Sequence, residues 1–227
     1  MPDTAFVDRL DRVHAAIAEA RRRGGWSHRV EILAVTKTHG PEAVRTAVAA
    51  GITAVGENRV QEALTKQGQC ADLEVDWHLI GGLQRNKARH AAGRFALIQS
   101  VDRLELASEI NRRVPEGATQ AILVQVNCSG EPQKGGVEPA GLMALLDEMR
   151  NLSRLETRGL MTMAAFGAPE TEVRATFAQL RELTEAGRRE GHRLETLSMG
   201  MSDDFPLAVE EGATMVRLGS ALFGSRE

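Results

Sequence analysis

Eight short runs rich in Val, Ile and Leu recur along the chain, each followed by a longer segment with helical spacing. They cover residues 32–36, 53–55, 77–80, 95–100, 121–127, 157–161, 194–197 and 215–218. The clearest helical segments between them are 41–50, 139–150 and 169–189, each opening on a proline, the residue best tolerated in a first helical turn. Crossovers of that length join parallel strands, because antiparallel neighbours need only a tight turn. An open doubly wound sheet satisfies the same alternation, but eight repeats without a long insertion favour closure into a single (β/α)₈ barrel spanning residues 1–227. Before the first run, Phe6, Leu10, Val13 and Ile17 share one face of a helix that starts near Asp3 and stops at Gly24-Gly25. With little chain after the eighth run, this extra amino-terminal helix is expected to complete the outer ring.

Composition narrows the class. A chain of 227 residues with 42% hydrophobic content buries one sizeable core. Its formal net charge of −3 gives no purchase on nucleic acid or an anionic membrane, both of which need clustered cations. The run Arg21-Arg22-Arg23 falls at the end of the first helix, where cations oppose the negative end of the macrodipole. Cys70 and Cys128 have no metal-ligand or disulfide-framework spacing, so reduced thiols and no metal site are expected. The amino terminus alternates charged and apolar residues, unlike a signal peptide or a membrane span, and the reading is a soluble cytoplasmic protein.

The chemistry concentrates at the carboxyl ends of the predicted strands, where barrels of this type carry their sites. Only four lysines stand against twenty-four arginines, and Lys37 closes the first run, Ile32-Leu33-Ala34-Val35. A desolvated lysine amine loses its proton and attacks an aldehyde to form a Schiff base, which arginine cannot do. After the seventh run comes Ser198-Met199-Gly200-Met201-Ser202-Asp203-Asp204, and after the eighth Arg217-Leu218-Gly219-Ser220. Glycines there allow close backbone approach, and amides and hydroxyls at helix starts suit a phosphate. Each serine taken alone is equally well explained as a helix cap. Closure would set both loops beside the first strand, so that a phosphate site, an aldehyde-reactive amine and an arginine share one mouth. Pyridoxal 5′-phosphate carries both functional groups. A Schiff-base aldolase acting on a phosphorylated sugar would use the same pair.

The sequence also resembles the pyridoxal-phosphate homeostasis proteins, which are similar to the barrel domain of alanine racemase. The resemblance runs from about Val30 to Gly224, through Ala34-Val35-Thr36-Lys37, Gly56-Glu57-Asn58-Arg59-Val60-Gln61-Glu62, His78-Leu79-Ile80-Gly81-Gly82-Leu83-Gln84-Arg85-Asn86-Lys87, Gly159-Leu160-Met161-Thr162-Met163 and the two phosphate loops. It implies that Lys37 forms the internal aldimine and that Ser202, Gly219 and Ser220 hold the phosphate, with amides near Gly200 and Met201. It further implies that Arg217 faces the pyridine nitrogen, where a permanent cation weakens the ring as an electron sink; an ion pair with Glu210 or Glu211 is the alternative. Asn58 is expected at the cofactor ring or as a helix cap, and Met163 in the pocket wall or the core. His78 is expected to be a hydrogen-bonded core residue. Lys87 and Lys134 also lie in family-like segments, and either is a candidate as a weaker, alternative amine for the aldehyde. Ser220 stands where threonine is common in the family, and Gly82 where a larger residue is frequent; neither change threatens binding.

The chain has no tyrosine. Racemases of this barrel type pair their lysine with a tyrosine on the opposite face of the substrate, supplied through a second domain. The expectation is therefore a non-catalytic, monomeric protein that buffers pyridoxal phosphate or delivers it to apoenzymes. A racemase of low activity is the alternative.

Overall fold

The computed structural model describes residues 3–224 and closes the alternation into a barrel. Helix α1 (Thr4–Gly24) precedes the repeats β1 (Glu31–Val35), α2 (Pro41–Ala49), β2 (Ala54–Glu57), α3 (Val60–Gln69), β3 (Asp76–Leu79), α4 (Ala88–Ala91), β4 (Leu97–Val101) and α5 (Leu104–Arg113). There follow β5 (Gln120–Gln125), α6 (Leu142–Met149), β6 (Leu155–Met161), α7 (Glu170–Arg189), β7 (Thr196–Met201), α8 (Phe205–Glu210), β8 (Met215–Leu218) and α9 (Ser220–Phe223). The eight strands pair in chain order, all parallel, and β8 returns to β1 with Leu33 opposite Arg217.

Alternation along each strand sorts the apolar residues into two cores. Leu33, Ala54, Leu97, Leu123, Met161 and Met215 fill the barrel interior. A larger cluster, including Val55, Ile98, Ile122, Leu160 and Val216, packs the outer strand faces against the helices.

Helix α1 takes the place in the ring beside α8 and α9. Asp3 caps it by accepting from the Ala5 amide, and Gly25, with φ of 71°, ends it in the left-handed conformation. Phe6, almost fully buried, lies 5.3 Å ring to ring from Phe223, and Arg9 Nε donates to the Leu222 carbonyl at 2.5 Å. The amino-terminal helix thus does the work that α9, a single turn, cannot.

Several boundaries shift by one or two residues from the sequence reading, and the departures at α6 and β7 are the largest. The segment from 139 opens as a 3₁₀ turn, Pro139–Gly141, before α6. The seventh strand starts at Thr196 and runs on to Met201, so Ser198 lies within the strand. Leu194, read as the start of that strand, instead anchors the preceding loop in the core. Both cysteines are free, and no helix among the described residues is long and apolar enough to cross a membrane.

Replacing Phe6 by Ala should lower unfolding free energy by about 3–5 kcal/mol, the usual cost of emptying a buried aromatic site. Denaturant unfolding of Phe6→Ala against wild type measures it, and a loss under about 1 kcal/mol would mean that α1 is not integral to the ring.

Candidate functional site

A cavity of about 570 Å³ opens at the carboxyl end of the barrel. Lys37, Asn58, Met163, Met201, Ser202, Arg217, Gly219 and Ser220 all line it, bringing together eight of the nine residues expected from sequence. Lys37 reaches it because residues alternate along β1 and its extension: Leu33 faces the interior, Val35 lines the cavity, and Lys37 follows two positions on.

Gly200 is the exception and does not border the cavity. Its φ is +89°, and a Cβ there would stand 2.6 Å from the Ala208 Cβ and 3.0 Å from the Phe205 Cα. The close approach that glycine permits here is to α8, not to a ligand. The Met201 amide is also engaged, donating to Asp204 Oδ1 at 2.5 Å. Burial holds that carboxyl above its ordinary pKa range, opposed mainly by the Met201 bond. Just past the end of β7, it is the Ser202 side chain that meets the loop after β8. Its Oγ accepts from the amides of Gly219 at 3.2 Å and Ala221 at 3.1 Å, tying the two loops together.

Arg217 is buried at the cavity floor and forms no ion pair among the described residues. Glu210, the alternative partner, binds Arg23 and Arg174, and Glu211 binds Arg174 and Arg181. The guanidinium instead donates to Ser198 Oγ and to the Thr162 carbonyl, each at 2.8 Å. Desolvation lowers its pKa to about 10, which leaves it protonated at neutral pH. From Arg217 a chain of donors crosses the interior. The Ser198 hydroxyl donates to Gln99 Oε1 at 2.6 Å, and the Gln99 amide nitrogen lies 3.0 Å from His78 Nδ1. Desolvation pulls His78 down to a pKa of about 4, so its Nδ1 is a neutral acceptor and not a base.

Asn58 is exposed and does not cap α3, whose cap position is Arg59. Its carbonyl lies where a Cβ on Gly81 would fall, at 2.2 Å, so only glycine fits position 81. Met163 is half-buried and packs on the interior cluster. Lys134 lines the cavity, its ammonium bonded to the Ala164 carbonyl and paired with Glu131; Lys87 does not line it.

Gln99 escaped the sequence reading, since a buried Gln inside a strand leaves no periodic signal, while Ser198, Thr162 and Asp204 fell within its motifs without a role of their own. Away from the mouth, Asp147, Glu190 and His192 lie close enough to hold a metal ion, but Arg150 is bonded to His192 and paired with Asp147 in their midst.

The fold and this mouth define an alanine-racemase-type barrel, and residues 9–227 match the family described as alanine racemase, N-terminal domain. The chain belongs to the pyridoxal phosphate homeostasis protein family. Relatives bearing that name are 43% identical in Aquifex aeolicus, over 97% of this chain and 98% of theirs, and 44% identical in Pseudomonas aeruginosa, over 99% and 97%. PipY of Synechococcus elongatus, solved with pyridoxal phosphate bound, superposes with a TM-score of 0.84 at 39% identity, covering 96% of this chain and all of that one. Alanine racemase of Clostridium difficile shares the fold at 14% identity and a TM-score of 0.78; this chain covers 60% of it.

The depressed His78 pKa makes stability pH-dependent. Between about pH 6.5 and pH 4 the unfolded chain binds a proton that the folded one refuses, so stability falls with pH across that window, by roughly 3 kcal/mol in full. Asp204, raised by burial, works in the opposite sense, so the contrast to measure is with His78→Asn, which keeps an acceptor for Gln99. The variant should lose less stability than wild type between pH 7 and pH 4.5; parallel profiles would reject the assignment.

Proposed function

We propose that this protein binds pyridoxal 5′-phosphate at the barrel mouth and holds it in reserve for pyridoxal-phosphate-dependent apoenzymes, without turning over a substrate of its own. One observation carries the reading: a lysine amine, a buried unpaired arginine and two hydroxyl-bearing loops line a single 570 Å³ cavity. The donor set fits the cofactor. When bound, the cofactor supplies a phosphate dianion and an aldehyde that condenses with an amine, two amine hydrogens leaving with the carbonyl oxygen as water. Lys37 is the residue that would take the aldehyde carbon. Ser202, Gly219 and Ser220 offer the hydroxyls and amides for the phosphate, on adjacent strands whose mutual bonds already orient them. Arg217, with donors fixed by Ser198 and Thr162, would face the ring nitrogen and keep a proton off it, opposing carbanion chemistry. Asn58 and Met163 would flank the ring.

The carrier reading also rests on the sequence, which contains no tyrosine to act opposite Lys37. The family name supports it, and membership argues against the sugar-phosphate aldolase alternative. Free, widely separated cysteines fit a cytoplasmic setting, and we take the working unit to be a monomer.

Purified protein mixed with the cofactor should develop a visible absorption band, and borohydride followed by peptide mass mapping should find the reduced adduct on Lys37. Lys37→Ala should abolish the band and weaken binding at least tenfold. A protein that stays colourless at saturating cofactor would sink the proposal. Chiral analysis of alanine after prolonged incubation separates carrier from racemase: turnover lost in Lys37→Ala would establish an enzyme.

A further inference from the structure

Behind Lys37, on the outer face of the barrel wall, lies a charged pair that neither the fold nor the cofactor site accounts for. Glu57, at the end of β2, is fully buried, and Lys66, from α3, nearly so; Nζ and Oε1 are 2.5 Å apart. Both converge on Thr36, the residue immediately before Lys37. Lys66 Nζ donates to the Thr36 carbonyl at 2.9 Å, and the Thr36 hydroxyl donates to Glu57 Oε1 at 2.6 Å. The Thr36 amide donates to the Gly56 carbonyl at 3.1 Å, and its carbonyl also accepts from the His39 amide at 3.0 Å. Every polar group of Thr36 is engaged.

Thr38, on the other side of Lys37, has φ of +69°, the only non-glycine residue in the left-handed region among those described. A β-branched residue there is strained and persists only where its surroundings over-determine the backbone. The Lys66–Glu57–Thr36 network is such a restraint.

Stability does not explain the network. A buried ion pair costs so much desolvation that apolar residues of similar volume commonly do as well or better. Glu57 Oε2, moreover, has no hydrogen-bond partner among the described residues, a further cost. What an apolar pair could not provide is the set of directional bonds to Thr36. Because Thr36 faces outward and the next residue faces inward, fixing Thr36 fixes the direction in which Lys37 leaves the strand.

We propose that Glu57 and Lys66 are positioning residues for the reactive amine, acting on Lys37 through Thr36. This rests on the cofactor-binding reading above and adds that amine placement and phosphate capture are separately built. The network should govern condensation of the Lys37 amine with an aldehyde while leaving capture of the phosphate untouched.

The test uses two probes on the full chain. Pyridoxal 5′-phosphate reports both steps, and pyridoxine 5′-phosphate, which has an alcohol in place of the aldehyde, reports phosphate capture alone. The variants are Glu57→Leu/Lys66→Met together, Thr36→Val and Thr36→Ser. The double variant should melt within a few degrees of wild type and bind pyridoxine 5′-phosphate within twofold, yet form the visible band at least tenfold more slowly. Thr36→Val should show the same split and Thr36→Ser should restore the wild-type rate. Should the double variant fail to fold, the Thr36 pair decides alone. Wild-type band formation in Thr36→Val or in the folded double variant overturns the inference, as does a parallel loss with both probes, which marks a merely structural role. A wild-type protein that binds pyridoxine 5′-phosphate but forms no adduct on Lys37 overturns the cofactor reading and this inference with it.

Discussion

The pairing of β8 with β1 is the constraint on which the site depends. In an open eight-stranded sheet these would be opposite edges, seven strand spacings or roughly 34 Å apart, and no small molecule could touch both. Closure brings Leu33 opposite Arg217 and so sets the lysine-bearing turn beside the loops that follow β7 and β8. It also buries the last two edges, which in a parallel sheet would otherwise expose unpaired amides and carbonyls. The same event that completes the core therefore assembles the mouth. Helix α1 belongs to this event, since it packs beside α8 and the single-turn α9, the helices that flank β8 in sequence.

The interior of the barrel is divided between two kinds of packing. Leu33, Ala54, Leu97, Leu123, Met161 and Met215 interlock as an ordinary apolar core. Arg217, Ser198, Gln99 and His78 run across the same interior as an oriented series of hydrogen bonds joining β8, β7, β4 and β3. Burying a guanidinium without a contacting ion-pair partner costs several kcal/mol, only partly offset by its bonds to Ser198 and Thr162 and by the nearby Asp204 carboxyl. A cation maintained at that cost, with two donors committed to the protein, has its plane and position set before any ligand arrives.

Much of this was legible in the residues themselves. Eight apolar runs with long helical crossovers predict a parallel barrel, and every one of them contains strand residues. Lys37, Ser202, Gly219 and Ser220 announce themselves because lysine is scarce and the loops are rich in glycine and hydroxyls. The seventh strand was harder: Ser198 and Gly200 break the apolar run, although their backbone continues the sheet to Met201. Gly200 reads correctly as a position without room for a side chain, but a sequence does not say which neighbour takes the room. Gln99 and Ser198 lie 99 positions apart, a separation that carries no pattern, and only the closed fold brings them together, whereas Lys66 meets Glu57 nine positions away within one strand-helix unit.

The tie between the loops that follow β7 and β8 bears on how readily the proposed guest would leave. The Gly219 and Ala221 amides already possess an acceptor in the Ser202 hydroxyl. On the proposed function, an arriving oxyanion would exchange one partner for a better one, and on its departure the amides would return to the hydroxyl instead of being left without a protein partner. On that proposal the arrangement would flatten the energetic difference between loaded and unloaded protein, trading grip for reversibility, as suits a depot more than a permanent mounting.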